Sequence, residues 1–295
     1  MQHADIKLGC RETTDQRRVN SPVQVIAVTS GNPGTGKTCI AMNVAQALSL
    51  AGRSTLLLNA DPGASGIDAL LDLRSAFTLF DVLNGSKTLD EVLLQGPDGV
   101  RLVSAASDMQ QLAGLGLWEC AGLVRAFSDI SAPVDTLVID VASGNGECVA
   151  SLCRAASEII VPVRSGRESL HASAALIESL QQRFGIARFR ILPNCVASAR
   201  DASDLFSQFL QHFAANHDVV LSCCGFIPQD DFVQKAAVSR QSVMSAYPRS
   251  RSALALRNLA SQIMRWPRSG HAGGHLEFFV ERLVQNENIN MEVRS

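Results

Sequence analysis

Short apolar runs recur along the chain, each followed by a longer stretch with helical composition or clustered glycines. Residues 23–29, 54–60, 99–104, 134–140, 158–163, 188–194 and 219–227 each read as a strand, and their nearly continuous apolar character predicts burial on both faces. Between them, the segment from Cys39 to Leu50 and residues 168–184 and 205–213 read as helices. Residues 77–95 read as two short helices split by Asn84-Gly85, and 108–130 as largely helical. This alternation predicts an α/β fold, a mostly parallel sheet with helices on both faces. One large domain is expected over residues 21–268. The polar, aperiodic residues 1–20 before it predict a flexible arm. Residues 269–295 after it read as a glycine-rich hinge and a helix. In that helix Leu276, Phe279, Val280, Leu283 and Val284 share one face, which predicts docking on the domain, a partner groove or a membrane surface. Glu277 and Glu281 on the polar face weigh against anionic lipid.

The first strand runs straight into candidate chemistry. Gly31, Asn32, Pro33, Gly34, Thr35, Gly36, Lys37 and Thr38 match the P-loop pattern, whose backbone N–H groups curl around phosphates. The lysine offsets phosphate charge and the hydroxyl holds Mg²⁺. A glycine-rich surface turn is the plain alternative. A buried strand before the loop and a helix after it are the context a true P-loop requires, and both are present. Two later strands end in aspartate, Asp61 and Asp140. That is the sheet edge where open α/β proteins bind ligands. A strand-terminal aspartate followed by Val141-Ala-Ser-Gly144 is what a P-loop NTPase uses to support Mg²⁺ or its water, the alternative being a simple strand-ending turn.

Composition narrows the field. At 295 residues and 46% hydrophobic content the chain can bury a sizeable core, and a net charge of -2 argues against a general nucleic-acid coat. Residues 232–275 nevertheless contain no Asp or Glu and carry Lys235, Arg240, Arg249, Arg251, Arg257, Arg265 and Arg268. This positive region suits nucleotide phosphates, nucleic acid or an acidic protein face, or is a solvated helix surface. The eight cysteines form no C-x-x-C pair and several sit in apolar runs, which predicts buried thiols in a reducing compartment. A cytoplasmic location is expected, since the first residues lack the apolar core of a signal peptide and no run approaches a membrane span.

Beyond the P-loop, residues 89–107, 123–130, 247–250 and 274–284 resemble the MinD/ParA-like ATPases, and within them the FleN/FlhG regulators of flagellar number. The likeness extends from Val23 to about Gln285. The resemblance implies an ATP- and Mg²⁺-dependent homodimer that restrains an enhancer-binding, FleQ-like activator of flagellar genes, with a polar FlhF-like GTPase as a further partner. It implies that the last helix, residues 275–285, serves as a membrane or partner element, with polar or peripheral membrane association as the less favoured alternative. It also implies that Lys37 and Thr38 bind phosphate and Mg²⁺, that Asp61 orients the attacking water, that Asp140 supports the metal and that Asn194 contacts adenine.

Several positions depart from that pattern. Asn32 and Pro33 stand where the resemblance implies a lysine that reaches across the dimer, and Asn59 replaces a strand-end carboxylate. Gly166-Arg167-Glu168 takes the place of Glu-Pro-Thr. Phosphoryl transfer depends chiefly on positioning and electrostatics, so these losses predict ATP binding with weak hydrolysis. The alternatives are an active ATPase for cell-pole or DNA positioning and a scaffold that has lost nucleotide.

Overall fold

The computed structural model describes residues 22–61, 67–73, 76–105, 125–127, 129–214, 218–267 and 280–282, the side chains of Asp68 and Ala69 excepted. The arm, most of the helix expected over 108–130 and the hinge before the last helix lie outside them.

The chain begins with β1 (Gln24–Val28) and α1 (Lys37–Leu50), then β2 (Thr55–Ala60) and α2 (Ile67–Leu71). Two short helices follow, α3 (Leu79–Leu83) and α4 (Leu89–Val92), then β3 (Leu94–Gln95) and β4 (Arg101–Ser104). The next units are β5 (Thr136–Val141) with α5 (Glu147–Ala155), β6 (Glu158–Arg164) with α6 (Arg167–Phe184), and β7 (Arg188–Val196) with α7 (Ala199–His212). The last elements are β8 (Val220–Cys223), β9 (Ile227–Pro228), α8 (Asp231–Val238), α9 (Val243–Ala246) and α10 (Arg251–Ile263). Among the described residues these strands form one sheet in the order β3-β4-β2-β5-β1-β6-β7-β8, with β9 beside β7. Every pairing is parallel except β3 with β4.

The expected architecture is present, and strand pleating explains how two cores arise from one sheet. Val25 and Ala27 of β1, Leu56 and Leu58 of β2 and Leu137 and Ile139 of β5 face one core with α3 to α7. Ile26, Val28, Leu57 and Val138 face the other, against Ile40, Val44 and Leu48 of α1 and Leu256, Leu259 and Ile263 of α10. Each such fully buried aliphatic side chain contributes about 1.5–3 kcal/mol relative to exposure.

Local chemistry accounts for several boundaries. The helices α3 and α4 start at Thr78 and Thr88, each closing a capping box with Asp81 or Glu91. Helix α7 begins six residues before the segment that composition alone marked, because the Ser198 hydroxyl accepts from the Asp201 N–H. Residues 94–95, read as the end of a helix, instead pair with β4. The seventh expected strand is split into β8 and β9. Its partner β7 carries a bulge between Asn194 and Val196, with Cys195 at φ 57°, so pairing resumes out of step. Of the C-terminal helix, Val280 is fully buried in the first core and Arg282 donates to the Arg154 carbonyl.

Candidate functional site

The loop after β1 is laced to its neighbours before it turns. The Thr29 N–H donates to the Ile160 carbonyl (3.1 Å) and its hydroxyl to the Ala142 carbonyl (2.9 Å). The Gly144 N–H donates to the Ser30 carbonyl at 2.9 Å, tying the segment after β5 to the loop. Gly31 lies flat against α6: a Cβ there would sit 2.0 Å from the Ala172 carbonyl carbon and oxygen. Gly36 is held at φ 91°, and a Cβ on it would meet Asn194 Nδ2 at 2.6 Å. These contacts explain why the sequence puts glycine at both ends of the loop.

Helix α1 then starts with no side-chain cap and no acidic residue in its first turn. Helices α7, α8, α9 and α10 are all capped, by Ser198, Asp230, Ser242 and Ser250. The first N–H groups of α1 and the positive end of its dipole are therefore left for an anion. Within the loop, the Asn32 Oδ1 and Thr35 Oγ1 atoms are buried without a hydrogen bond.

Charge is concentrated where strands β1, β2 and β5 end side by side. Asp140 is level with Val28 on one side and Asn59 on the other. It is fully buried, and neither carboxylate oxygen reaches a well-aligned hydrogen bond. Burial pushes its pKa up to about 7; the Lys37 ammonium and the nearby Thr38 hydroxyl pull it back in part, and Asp61 adds to the rise. Lys37, itself buried, forms an ion pair with Asp61. Asn59, the neutral residue at the neighbouring strand end, also has a buried Oδ1 without a partner.

An orphaned buried carboxylate beside a hydroxyl suits a hard cation that completes its oxygen shell with phosphate and water. The residues fit Mg²⁺ in that limited sense.

Beside the loop a cavity of about 300 Å³ is lined by, among others, Gly36, Ile40, Arg164, Asn194, Cys195 and Ile227. Its size and mixed lining suit a planar base. Asn194 Nδ2 donates to the Thr35 carbonyl at 2.6 Å and its Oδ1 accepts from the Cys195 N–H. Asn194 therefore both lines the cavity and braces the loop.

The structure brings all the sequence-derived candidates together: Gly31 to Thr38, Asp61, Asp140 and Asn194 meet at the carboxyl ends of β1, β2, β5 and β7. The sequence reading missed Arg164, at the end of β6, whose Nη1 donates to the Gly34 carbonyl at 3.1 Å. It also missed the loop and helix start at Pro228–Asp231 that wall the cavity. The Asp230 cap of α8 was the available signal for the second. Arg164 had none, because 130 residues separate it from Gly34. The basic segment is partly engaged within the fold: Arg240 pairs with Asp72, and Arg251 and Arg257 donate to the Ala197 and Pro248 carbonyls. Arg268 lies outside the described residues.

Comparison with known proteins places this geometry. The profile of the family described as 4Fe-4S iron sulfur cluster binding proteins, NifH/frxC family, matches residues 24–270. The chain is 44% identical over 265 residues to the antiactivator FleN of Pseudomonas aeruginosa, covering 90% of this chain and 95% of that protein. Among solved structures it is similar to the septum site-determining protein MinD complexed with Mg-ADP from Pyrococcus horikoshii. There the TM-score is 0.63 and the identity 20%, over 82% of this chain and 96% of that one. A ParA family ATPase from Chlorobium tepidum gives a TM-score of 0.64 at 21% identity, over 81% and 98%. At these identities the two structures speak for the fold.

The family description names an iron–sulfur cluster, which cysteine thiolates would have to hold. Burial pushes the thiol of Cys39 up to about 11 and that of Cys153 to about 12, and also raises Cys224. Among the described residues no three metal-ligating side chains converge. Cys39, Cys153 and Cys224 are thus poor cluster ligands, and within one chain the described residues bring no cluster's set of thiolates together; Cys10 and Cys120 lie outside them.

Proposed function

This chain belongs to the MinD/ParA-like P-loop ATPases and, within them, to the FleN/FlhG regulators, and we propose that it is an ATP-responsive antiactivator with weak hydrolysis. The observation that carries this reading is the combination of an uncapped α1 N-terminus, a buried Lys37 and an Asp140 carboxylate buried beside Thr38 without a well-aligned hydrogen bond, all around one glycine-laced loop. The amides of residues 31–38 and Lys37 take the phosphates, and Lys37 exchanges its ion pair with Asp61 for them. Thr38 and Asp140 hold Mg²⁺, which when bound offsets phosphate charge. Asp61, released from Lys37, faces the site from the end of β2 and orients water. Asn194 and the adjoining cavity take the adenine. Asn32 carries no positive charge, so the developing charge of phosphoryl transfer meets less compensation, and Asn59 takes a carboxylate out of the metal's neighbourhood, so turnover is slow.

In the proposed cycle ATP favours a face-to-face homodimer, and the dimer restrains an enhancer-binding, FleQ-like activator. An FlhF-like GTPase at the pole is a second partner in this scheme. Among the described residues no helix is long and apolar enough to cross a membrane. Val280, buried in the first core, favours docking on the domain over lipid.

Calorimetric titration of Mg·ATP into the native chain and Lys37→Ala tests the nucleotide part. Micromolar binding that weakens by about tenfold or more in the variant is expected, since a charged hydrogen bond is worth about 1.5–3 kcal/mol. Equal affinity in both proteins refutes it. Co-sedimentation with a purified enhancer-binding activator, with ATP against ADP, tests the regulatory part; the same capture with both nucleotides refutes the switch.

A second reading, a working ATPase, draws on the Asp61 carboxylate at the strand end beside Lys37. Multiple-turnover phosphate release that disappears in Asp61→Asn would select it.

A further inference from the structure

A P-loop that holds a polyphosphate must meet several negative charges, and here its own lysine is engaged by Asp61. The other polar side chain near the start of the loop, Asn32, is neutral. Across the gap, β6 ends in Arg164, an exposed residue whose side chain leans back over the loop. Its backbone N–H donates to the Ser169 hydroxyl at 3.1 Å, which ties the base of the side chain to the first turn of α6. Its guanidinium gives Nη1 to the Gly34 carbonyl, and among the described residues the other donors of its planar fork make no hydrogen bond. It also lines the cavity together with Gly36, Asn194 and Cys195. Arg164 is thus placed where the anion-binding loop adjoins the base cavity.

A guanidinium held by one neutral carbonyl has a weak partner and can exchange it. Phosphate oxygens match its fork bidentately and form shorter, charge-assisted bonds. From this juxtaposition we propose that Arg164 is a phosphate-binding residue, a second cation supplied within the same subunit that closes over the loop when a nucleoside polyphosphate is bound. The inference rests on the nucleotide reading given above and names a residue which that reading does not need. Without nucleotide, Arg164 rests on Gly34 and shapes the loop; with it, the guanidinium moves onto the phosphate chain.

The test is calorimetric Mg·ATP affinity of the full chain with Arg164→Ala, Arg164→Gln and Arg164→Lys. Glutamine can still donate to the Gly34 carbonyl but carries no charge, whereas lysine keeps the charge. Losing a charge-assisted phosphate contact is expected to weaken ATP binding by about tenfold or more in both Ala and Gln, with Lys, which keeps the charge but not the bidentate fork, falling between them and the native chain. The native salt dependence of binding should also flatten in Ala and Gln. A Gln variant that binds ATP as tightly as the native chain would show that Arg164 only props the loop, and so overturns the proposal. So would an Ala variant with native affinity. Thermal unfolding of each variant separates a folding defect from a binding one, and Lys supplies a folded comparison. If the native chain binds no ATP, the nucleotide reading itself fails before any variant is compared, and this proposal falls with it.

Discussion

Replacing Gly31 by alanine adds one methyl group at the point where the loop lies closest to α6. That carbon would stand 2.0 Å from both the Ala172 carbonyl carbon and its oxygen and 2.4 Å from the Ser173 nitrogen. Carbon contacts settle at about 3.5–4.0 Å, so loop and helix must part by roughly 1.5 Å. Neither side yields easily. Helix α6 spans 18 residues and buries Ser173, Ala174, Leu176, Ile177 and Leu180, while the loop is tied through Thr29 and Ser30. Overpacking a well-filled site typically costs 1–3 kcal/mol, and a clash against backbone belongs at the upper end, about 3 kcal/mol. For a domain of this size that lowers Tm by roughly 6–12 °C. The displaced loop also loses its phosphate geometry, so ATP affinity should fall by about a hundredfold, equivalent to 2.7 kcal/mol. Scanning calorimetry and ATP titration read the two effects. Because the obstructing atoms are backbone, a second-site Ala172→Gly should not restore either. A Gly31→Ala protein that melts within about 2 °C of the native chain and binds ATP normally would refute the close approach on which this reasoning depends.

Asp140 supplies a pH prediction. Its native pKa of about 7 lies above the ordinary 3.8, so native stability falls as pH rises from about 4 to 7 and levels off above that. The difference corresponds to at most about 4 kcal/mol at 1.36 kcal/mol per tenfold change. Asp140→Asn should therefore stabilise the metal-free protein more at about pH 8 than at about pH 5, while Mg·ATP stabilises the variant less than the native chain. Urea unfolding with a chelator checks this, and a stability gap independent of pH contradicts it. Val280→Asp places a carboxylate in the first core, where Val280 is fully buried, and should cost about 3 kcal/mol or more. Unfolding at the native midpoint would show that this helix is not docked in solution.

Much of this fold was legible because strands covered on both faces must be apolar nearly throughout. The runs at 23–29, 54–60 and 134–140 therefore announced β1, β2 and β5 without any knowledge of their neighbours. The P-loop was legible for a related reason: Gly31, Gly36, Lys37 and Thr38 lie within eight residues, and strand, loop and helix are local in the chain. The family, too, was readable from long stretches such as 89–107.

Local patterns failed where a partner segment made the decision. Residues 94–95 became a strand because β4 offered an antiparallel edge, and β8 parted from β9 because β7 bulges at Cys195. Helical periodicity gave Val280 three destinations, and only packing chose the core. The same holds at the site. Sequence alone determined that this chain has a glycine-rich loop of P-loop pattern and two strand-terminal aspartates. The strand order β2-β5-β1-β6 decided that Asp140 lies buried between the ends of β1 and β2, and that Arg164 reaches Gly34. Those relations depend on which distant strands share hydrogen bonds, a tertiary property that no window of sequence carries.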